Sequence, residues 1–349
     1  MHPDIALDGQ LLCGTPTGIG EYLHGLIAAL RAQGLSFDVL SESRCDPWRF
    51  DRRVWWDQVL LPARARRYRL LHATAGTMPL LPRSGATVVT VHDVAWLRVQ
   101  EHARWYARHY FGERMLGAYR RAAAIITDSY FSRDELVSFP GIDPQSVHVV
   151  YPGVAEEYAQ VIRNVDVIVQ AEQPLILAVG TVEARKNLAV VIRALAALEN
   201  RQAVLVSCGP PTPYLAECQA LAASLGVAER VQFRGYISRE HLLELYAQAA
   251  VAVVPSRYEG FGLGAAQAVV AGVPLLVADT SALPEVAGDG AQILAVDDVA
   301  AWSAALDTIL ANPAQAIAGA QSGREAAYRR FSWAEAAART AAVYRTVLE

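Results

Sequence analysis

Lysine is all but absent from this chain: 30 of its 31 basic residues are arginine, and the single lysine is Lys186. A compact ammonium kept at one position, where guanidinium is used everywhere else, marks that position as one where shape matters. Cysteine is scarce as well, and Cys13, Cys45, Cys208 and Cys218 have no paired spacing. That scatter speaks against a disulfide framework or a zinc site and for reduced, buried thiols. No Asp-x-Asp occurs and no His/Cys/Glu cluster has ligand spacing, so neither a bound metal nor a cofactor is expected. Apolar runs are short; those at 175–180 and 249–255 fall far below the ~20 residues of a membrane helix. The opening MHPDIALDGQ has acids where a secretory signal needs basic residues, which implies a cytoplasmic protein. The net charge of −4 and the want of a recognition motif argue against nucleic acid as a partner.

What is present is a globular composition, 53% hydrophobic and 19% charged, in 349 residues, more than a single core usually holds. Two domains are therefore expected. Residues 1–152 carry 17 basic and 15 acidic side chains and the remainder 14 and 20, so the first part is better suited to an anionic surface. Short β-branched runs at 5–7, 37–40, 70–72, 87–91, 125–127 and 147–150 read as strands, with helices at 19–31, 103–121 and 132–138. After Tyr151-Pro152-Gly153 a second series begins. It places strands at 175–179, 203–207, 231–233, 251–254 and 274–277, and helices at 188–198, 213–225, 239–248 and 264–271. Residues 156–173 read as a connector, and 313–330 and 332–348 as closing helices. The alternation predicts an α/β protein of two doubly wound, Rossmann-like domains, 1–152 and 153–331, facing a central cleft at the carboxyl ends of their strands.

Loops at the strand ends carry the side chains suited to chemistry. Gly14-Thr15-Pro16-Thr17-Gly18-Ile19-Gly20 opens a helix, where Gly18 and Gly20 let backbone N–H groups approach a phosphate. Leu23 stands where a dinucleotide fingerprint needs its third glycine, so a nicotinamide cofactor is not indicated. His92 ends a strand, placed to donate to a substrate oxygen or act as a general acid or base, although a lone histidine is more often structural. In GTVEARKN (180–187), Arg185 and Lys186 beside a helix start and behind Gly180 suit a diphosphate; the alternative is a solvated basic pair. In the stretch 256–267, Glu259 can accept hydrogen bonds from sugar hydroxyls, and Gly260, Phe261, Gly262 and Leu263 expose N–H groups to phosphate. A turn that only links strand to helix is the plainer reading. Glu285 either binds hydroxyls or caps the next helix. Without a metal, Arg185, Lys186 and helix N-termini are the means of neutralising a leaving diphosphate.

Taken in order, Asp8 and PTGIG (16–20), VHDVAWL (91–97), TDSYFSRDEL (127–136), VVYPGV (149–154), VGTVEARKN (179–187), FRGYIS (233–238), PSRYEGFGL (255–263), SALPEVAG (281–288) and FSW (331–333) resemble the retaining, metal-independent glycosyltransferases of the GT-B fold, family four. The likeness covers nearly the whole chain. It implies that Gly18 and Gly20 approach the donor phosphates, that His92 contacts the transferred sugar, and that Arg185 and Lys186 hold the departing diphosphate. Glu259 matches the first Glu of the family's E-x7-E motif, which binds a sugar hydroxyl. Gln267 stands where the second Glu receives the ribose; it keeps one carbonyl acceptor and loses the charge that strengthens such bonds. Gly264 replaces the motif's usual proline. The first domain would bind the acceptor and be joined by the last helix, 332–349, while the second binds the donor. The implied reaction moves a hexose, best matched by mannose from GDP-mannose, to a glycan or polyprenyl-diphosphate-linked acceptor in polysaccharide or O-antigen (lipopolysaccharide) assembly.

Two basic and aromatic stretches add an expectation about location. Arg52-Arg53-Val54-Trp55-Trp56, continuing to Arg64, Arg66, Arg67 and Arg69, and the segment 104–111 suit an anionic membrane surface on the inner face of the plasma membrane. Ordinary Arg-rich helix faces that pack through Trp and Tyr explain them equally well. Two other functions stay open: an inactive nucleotide-sugar-binding partner, given Gln267, and a GT-B-like nucleotide-sugar epimerase or phosphorylase.

Overall fold

Strands that are aliphatic on both faces are stable only inside a parallel sheet covered on both sides. The short runs of this chain form two such sheets in a computed structural model that describes residues 3–14, 18–99 and 105–349. The chain divides into two units, Met1–Gly153 with Phe331–Glu349, and Val154–Arg330.

In the first unit β1 (Ile5–Asp8), β2 (Asp38–Leu40), β3 (Leu70–Ala73), β4 (Ala86–Val91), β5 (Ala124–Thr127) and β6 (Val147–Val149) pair in the order β2-β1-β3-β4-β5-β6, all parallel. Every residue of β1, β3 and β5 is buried. The helix Gly18–Ala32 buries Tyr22, Leu23, Leu26, Ile27 and Leu30, the stripe expected of a helix lying on a sheet. The last helix, Trp333–Leu348, begins at a Ser332 cap and packs into that same core through Ala337 and Tyr344. Its Trp333 indole fits because Gly25 and Gly153 leave room: a Cβ at either would lie 2.1 or 2.3 Å from the ring. The FSW motif is therefore the seat on which the chain's end returns to its first unit.

In the second unit β7 (Leu175–Val179), β8 (Val204–Cys208), β9 (Val231–Gly235), β10 (Val251–Val254), β11 (Leu275–Ala278) and β12 (Ala291–Leu294) pair in the order β12-β11-β10-β7-β8-β9, again all parallel. The sequence reading contains no β12, because this edge strand reads AQIL with Gln292 and Ile293 exposed and lacks a strand's usual pattern. It also omits the helix Val299–Ala311, whose Asp298 caps its start, and the helical run that begins with Phe50–Trp55.

Residues 156–173, expected as a connector, are instead packed into the second unit. Tyr158, Val161 and Ile168 are buried. Arg163 and Arg324 supply the reason: their guanidinium groups donate to the carbonyls of Gly272, Ala249, Val270, Ala159 and Val161. Two of those carbonyls, Ala249 and Val270, end helices, where the last C=O groups lack intrahelical partners.

Candidate functional site

The order of the second sheet reverses between β7 and β10, and ligands of such sheets gather where the order reverses, beyond the strands' carboxyl ends. Two loops leave the sheet there. One follows β7 and contains Arg185 and Lys186; the other follows β10 and contains Ser256 and Glu259. Some seventy residues apart in sequence, they meet because β7 and β10 are paired, with Ile176 opposite Val251.

At their meeting point Lys186 Nζ donates to Glu259 Oε1 at 2.5 Å, and Ser256 Oγ donates to the same oxygen at 2.7 Å. Arg185 reaches Glu259 Oε2 at 3.3 Å, the Tyr258 carbonyl at 2.5 Å and Glu183 at 2.7 Å. The backbones are tied as well: Arg257 N donates to the Arg185 carbonyl, and Glu259 N to Ser281 Oγ. Burial by itself would raise the pKa of Glu259. The charges of Lys186 and Arg185, with hydrogen bonds from Lys186 and Ser256, outweigh it and hold this carboxylate below the usual glutamate range. The result is an ionised carboxylate between two cations, and two of its partners, Lys186 and Ser256, line a hollow with Gly180, Thr181 and Ser207.

Lys186 owes its position to a 3-10 turn, Ala184–Lys186, that ends at Asn187 in the left-handed conformation (φ 51) before the helix Leu188–Ala197. The Asn187 amide donates to the Val296 carbonyl and accepts from Arg257, which also pairs with Asp297. Gly180 lies under the lysine stem: a Cβ there would sit 3.6 Å from Lys186 Cε.

The remaining residues expected to meet a donor lie at and along the helix Leu263–Val270. Phe261 is buried, Gly262 is left-handed (φ 91), and Leu263 opens the helix, whose first N–H groups have no partner within it. Gly260 directly follows Glu259. Gln267 lies further along the helix, buried, with Tyr246 O–H 3.3 Å from its Oε1. Glu285 sits in the first turn of the short helix Leu283–Ala287.

In the first unit His92 follows β4. Its Nδ1 lies 2.6 Å from Asp128 Oδ2 and its Nε2 3.0 Å from the Thr74 carbonyl oxygen. Gly18 begins the helix Gly18–Ala32 with open space where a side chain would stand, and Gly20 is buried. Thr15, Pro16 and Thr17 of the expected phosphate loop lie outside the described residues.

Asp128 is one residue that sequence reasoning left unassigned. A second such group is a buried cluster beyond β1: Arg53 pairs with Asp57 at 3.0 Å and with Asp8 at 3.9 Å, Trp56 Nε1 donates to Asp8, and Tyr110 O–H donates to Asp57. Burial raises Asp57 to about 6 against the attraction of Arg53. This cluster corrects the surface reading of 52–69, because Arg53 and Trp56 are interior. Arg64 bonds Glu42, Arg67 bonds Asp38 and Arg69 bonds the Leu348 carbonyl. In the second stretch Arg104 lies outside the described residues, while Tyr106, Tyr110 and Phe111 pack around Phe50, with Trp96 stacked on Phe111 at 5.1 Å. Trp55, Trp96 and Trp105 face outward, the last 80% exposed, as do Arg52, Arg64, Arg66, Arg67 and Arg69. Among the described residues no group of three His, Cys, Asp or Glu could hold a metal ion, and no helix is long and apolar enough to cross a membrane.

Comparison with known proteins gives two family matches that divide the chain between them. The model described as Glycosyltransferase Family 4 matches residues 16–158, and the one described as Glycosyl transferases group 1 matches residues 164–328. The chain is 31% identical over 268 residues to MMP alpha-(1->4)-mannosyltransferase of Mycolicibacterium hassiacum, a match covering 74% of the chain and 62% of that protein. It therefore spans less than two thirds of that relative's length. Among solved structures, sucrose-phosphate synthase from Thermosynechococcus elongatus superposes with a TM-score of 0.81 at 22% identity, covering 99% of each chain. Anabaena HepE in complex with UDP and glucose gives 0.76 at 16% identity, covering 99% of this chain and all of that one. At such identities these likenesses bear on the fold: two Rossmann-like units of the GT-B kind.

Proposed function

The chain belongs to the glycosyl transferases group 1, and from that premise we propose that it moves a hexose from a nucleotide-sugar donor to a glycan or polyprenyl-diphosphate-linked acceptor with retention of configuration. Mannose from GDP-mannose is the preferred donor, supported by the mannosyltransferase name of the relative at 31% identity. Polysaccharide or O-antigen assembly in the cytoplasm is the setting in which such an acceptor is met. The observation that carries this reading is the Arg185–Lys186–Glu259–Ser256 cluster at the reversal point of the second sheet.

The chemistry follows from charge. A sugar leaves its nucleotide as the C1–O bond to the diphosphate breaks, and negative charge grows on that oxygen. Two cations held in place by backbone and carboxylate contacts meet this charge without reorganising, which is where preorganised electrostatics helps most. Glu259 neutralises them before the donor arrives; with the diphosphate bound, its oxygens are released to accept from sugar hydroxyls. The helix start at Gly262 and Leu263 offers backbone N–H groups to the phosphates. Because the cations are side chains, no step requires a metal.

Docking on an anionic membrane is the other part of the reading, through the outward Trp55, Trp96 and Trp105 and the exposed arginines Arg52, Arg64, Arg66, Arg67 and Arg69. It brings a lipid-linked acceptor within reach.

The test is a panel of GDP, UDP, ADP and dTDP in calorimetry and thermal melting, with and without EDTA, followed by transfer from the matching nucleotide sugar. Saturable binding of one nucleotide, indifferent to EDTA and followed by transfer to an acceptor, supports the reading and names the base. If no nucleotide binds, the transferase reading fails. Binding without transfer or donor hydrolysis would favour the partner protein that Gln267 leaves open, and interconversion of free nucleotide sugars an epimerase.

A further inference from the structure

His92 follows the last residue of β4 and Asp128 the last residue of β5, and these parallel strands are in register with Val91 opposite Thr127. One step further along each strand, register alone puts the imidazole beside the carboxylate. Nδ1 lies 2.6 Å from Asp128 Oδ2, and Nε2 lies 3.0 Å from the carbonyl oxygen of Thr74, just beyond β3. A carbonyl oxygen only accepts, so Nε2 carries a hydrogen. An ionised carboxylate only accepts as well, so Nδ1 carries another. A ring with hydrogens on both nitrogens is a cation with no lone pair to offer.

The other groups around the ring agree with this. Tyr22, from the helix Gly18–Ala32, meets it edge-on at 4.8 Å and turns its hydroxyl to Thr90 Oγ1. Asp93 adds a second carboxylate next in sequence. His72 on β3 stays neutral, held at about 3 by its burial and by the charge of His92. Asp128 is buried, and its Oδ1 finds no hydrogen-bond partner among the described residues. The imidazolium is therefore the cation that meets this desolvated carboxylate. Burial by itself would lower the His92 pKa; the charge and hydrogen bond of Asp128, then the Thr74 carbonyl and Asp93, outweigh it and raise it.

We infer that Asp128 is a positioning residue that fixes His92 as an imidazolium, so that His92 serves by donating a hydrogen bond and positive charge and never as a general base. The functional half of this rests on the transferase reading; the protonation state does not. The Nε2–H now on the Thr74 carbonyl is the bond a sugar oxygen would share. The proton of the attacking hydroxyl then goes elsewhere: as the acceptor O–C1 bond forms and the C1–O bond to the diphosphate breaks, both electrons of that bond leave with the diphosphate, whose oxygen takes the proton.

The experiment follows the side-chain nitrogens of His92 by NMR in the full chain labelled with 15N-histidine, assigned with His92→Gln, across pH 5 to 9. Both nitrogens should be protonated at pH 7. In Asp128→Asn, an amide of the same shape donates to Nδ1, and the ring stays in place but neutral. Its titration midpoint should fall by at least about one pH unit, a tenfold loss of proton affinity. The high-pH limb of kcat/KM with the donor identified above should move down by the same amount, and Asp128→Glu should restore part of it. A purely structural carboxylate would change the melting temperature and leave both midpoints in place. A His92 that is neutral at pH 7 in the unaltered protein, or one whose midpoint is the same in Asp128→Asn, overturns the inference. If the NMR shift is found and no nucleotide sugar is ever turned over, the transferase reading fails while the assignment of Asp128 stands.

Discussion

Replacing Lys186 probes the proposed donor site most directly, because its ammonium has one structural partner and one expected chemical partner. In Lys186→Ala the structural loss is bounded by what stays on Glu259. Stripping a buried charge of its only partner costs about 3–5 kcal/mol. Here Arg185 at 3.3 Å and Ser256 at 2.7 Å remain, and Lys186 is itself a quarter exposed. A stability loss of about 1–2 kcal/mol is therefore expected, visible as a lower melting temperature of the second unit. The functional loss is larger. A charge-assisted hydrogen bond to phosphate is worth about 1.5–3 kcal/mol, so Kd for the nucleoside diphosphate should rise roughly 10–150-fold. Transfer should suffer more than binding, by about 10²–10³ in kcat, because charge on the diphosphate is greatest in the transition state.

Lys186→Arg separates charge from shape. The stem passes Gly180 so closely that a Cβ there would lie 3.6 Å from Lys186 Cε, and the ammonium ends on a carboxylate at 2.5 Å, which leaves no length for a planar fork. Arginine should therefore restore stability and only part of the binding, although it is the residue this chain uses everywhere else. Calorimetric titration with each nucleotide, then turnover under saturating donor, gives the two quantities separately. An alanine variant that binds the nucleotide as tightly as the unaltered protein would refute the reasoning, since no other lysine exists to take over.

Other perturbations test other links. In Glu259→Gln the cations lose one opposing charge, so free nucleoside diphosphate should bind several-fold more tightly while transfer slows, a split that calorimetry and turnover read independently. Asp57, raised from 3.8 to about 6, binds its proton more tightly folded than unfolded, so its contribution to stability falls as pH climbs through that window. Between pH 4.5 and 8 the unaltered protein should lose about 2 kcal/mol relative to Asp57→Asn, measured as the difference between their denaturation curves; parallel curves would place the titration elsewhere. Gly209 (φ 153) is so close to the β7 loop that a Cβ would lie 2.0 Å from the Gly180 carbonyl oxygen. Gly209→Ala should therefore weaken nucleotide binding although residue 209 carries no side chain to the site. Trp55→Ala with Trp105→Ala should abolish sedimentation with phosphatidylglycerol vesicles at low salt; a protein that never sediments with them would end the docking proposal.

The contrast between Lys186 and Asp128 shows what kind of information a single sequence holds. Lys186 is legible because its signal is local: one lysine among arginines, after a strand and before a helix. The same holds for β1, β3, β7 and β10, whose aliphatic runs end in glycine or polar loops within a few residues. Asp128 sits in a motif as plain as TDSYFSR, and still its role is invisible there, since it depends on Val91 lying opposite Thr127 across two strands. Sequence order gives neighbouring strands but not register, and register decides which strand-end side chains touch. The same limit explains Arg53. On a helix rich in arginine and tryptophan it reads as surface; in the fold it balances Asp8, 45 residues earlier, because β1 ends under that helix. It explains β12 too, an exposed edge strand whose only instruction to be a strand is the open side of β11. The reversal point of the second sheet, where the proposed donor chemistry lies, is a product of strand order, so the residues there are the last that a linear reading can group.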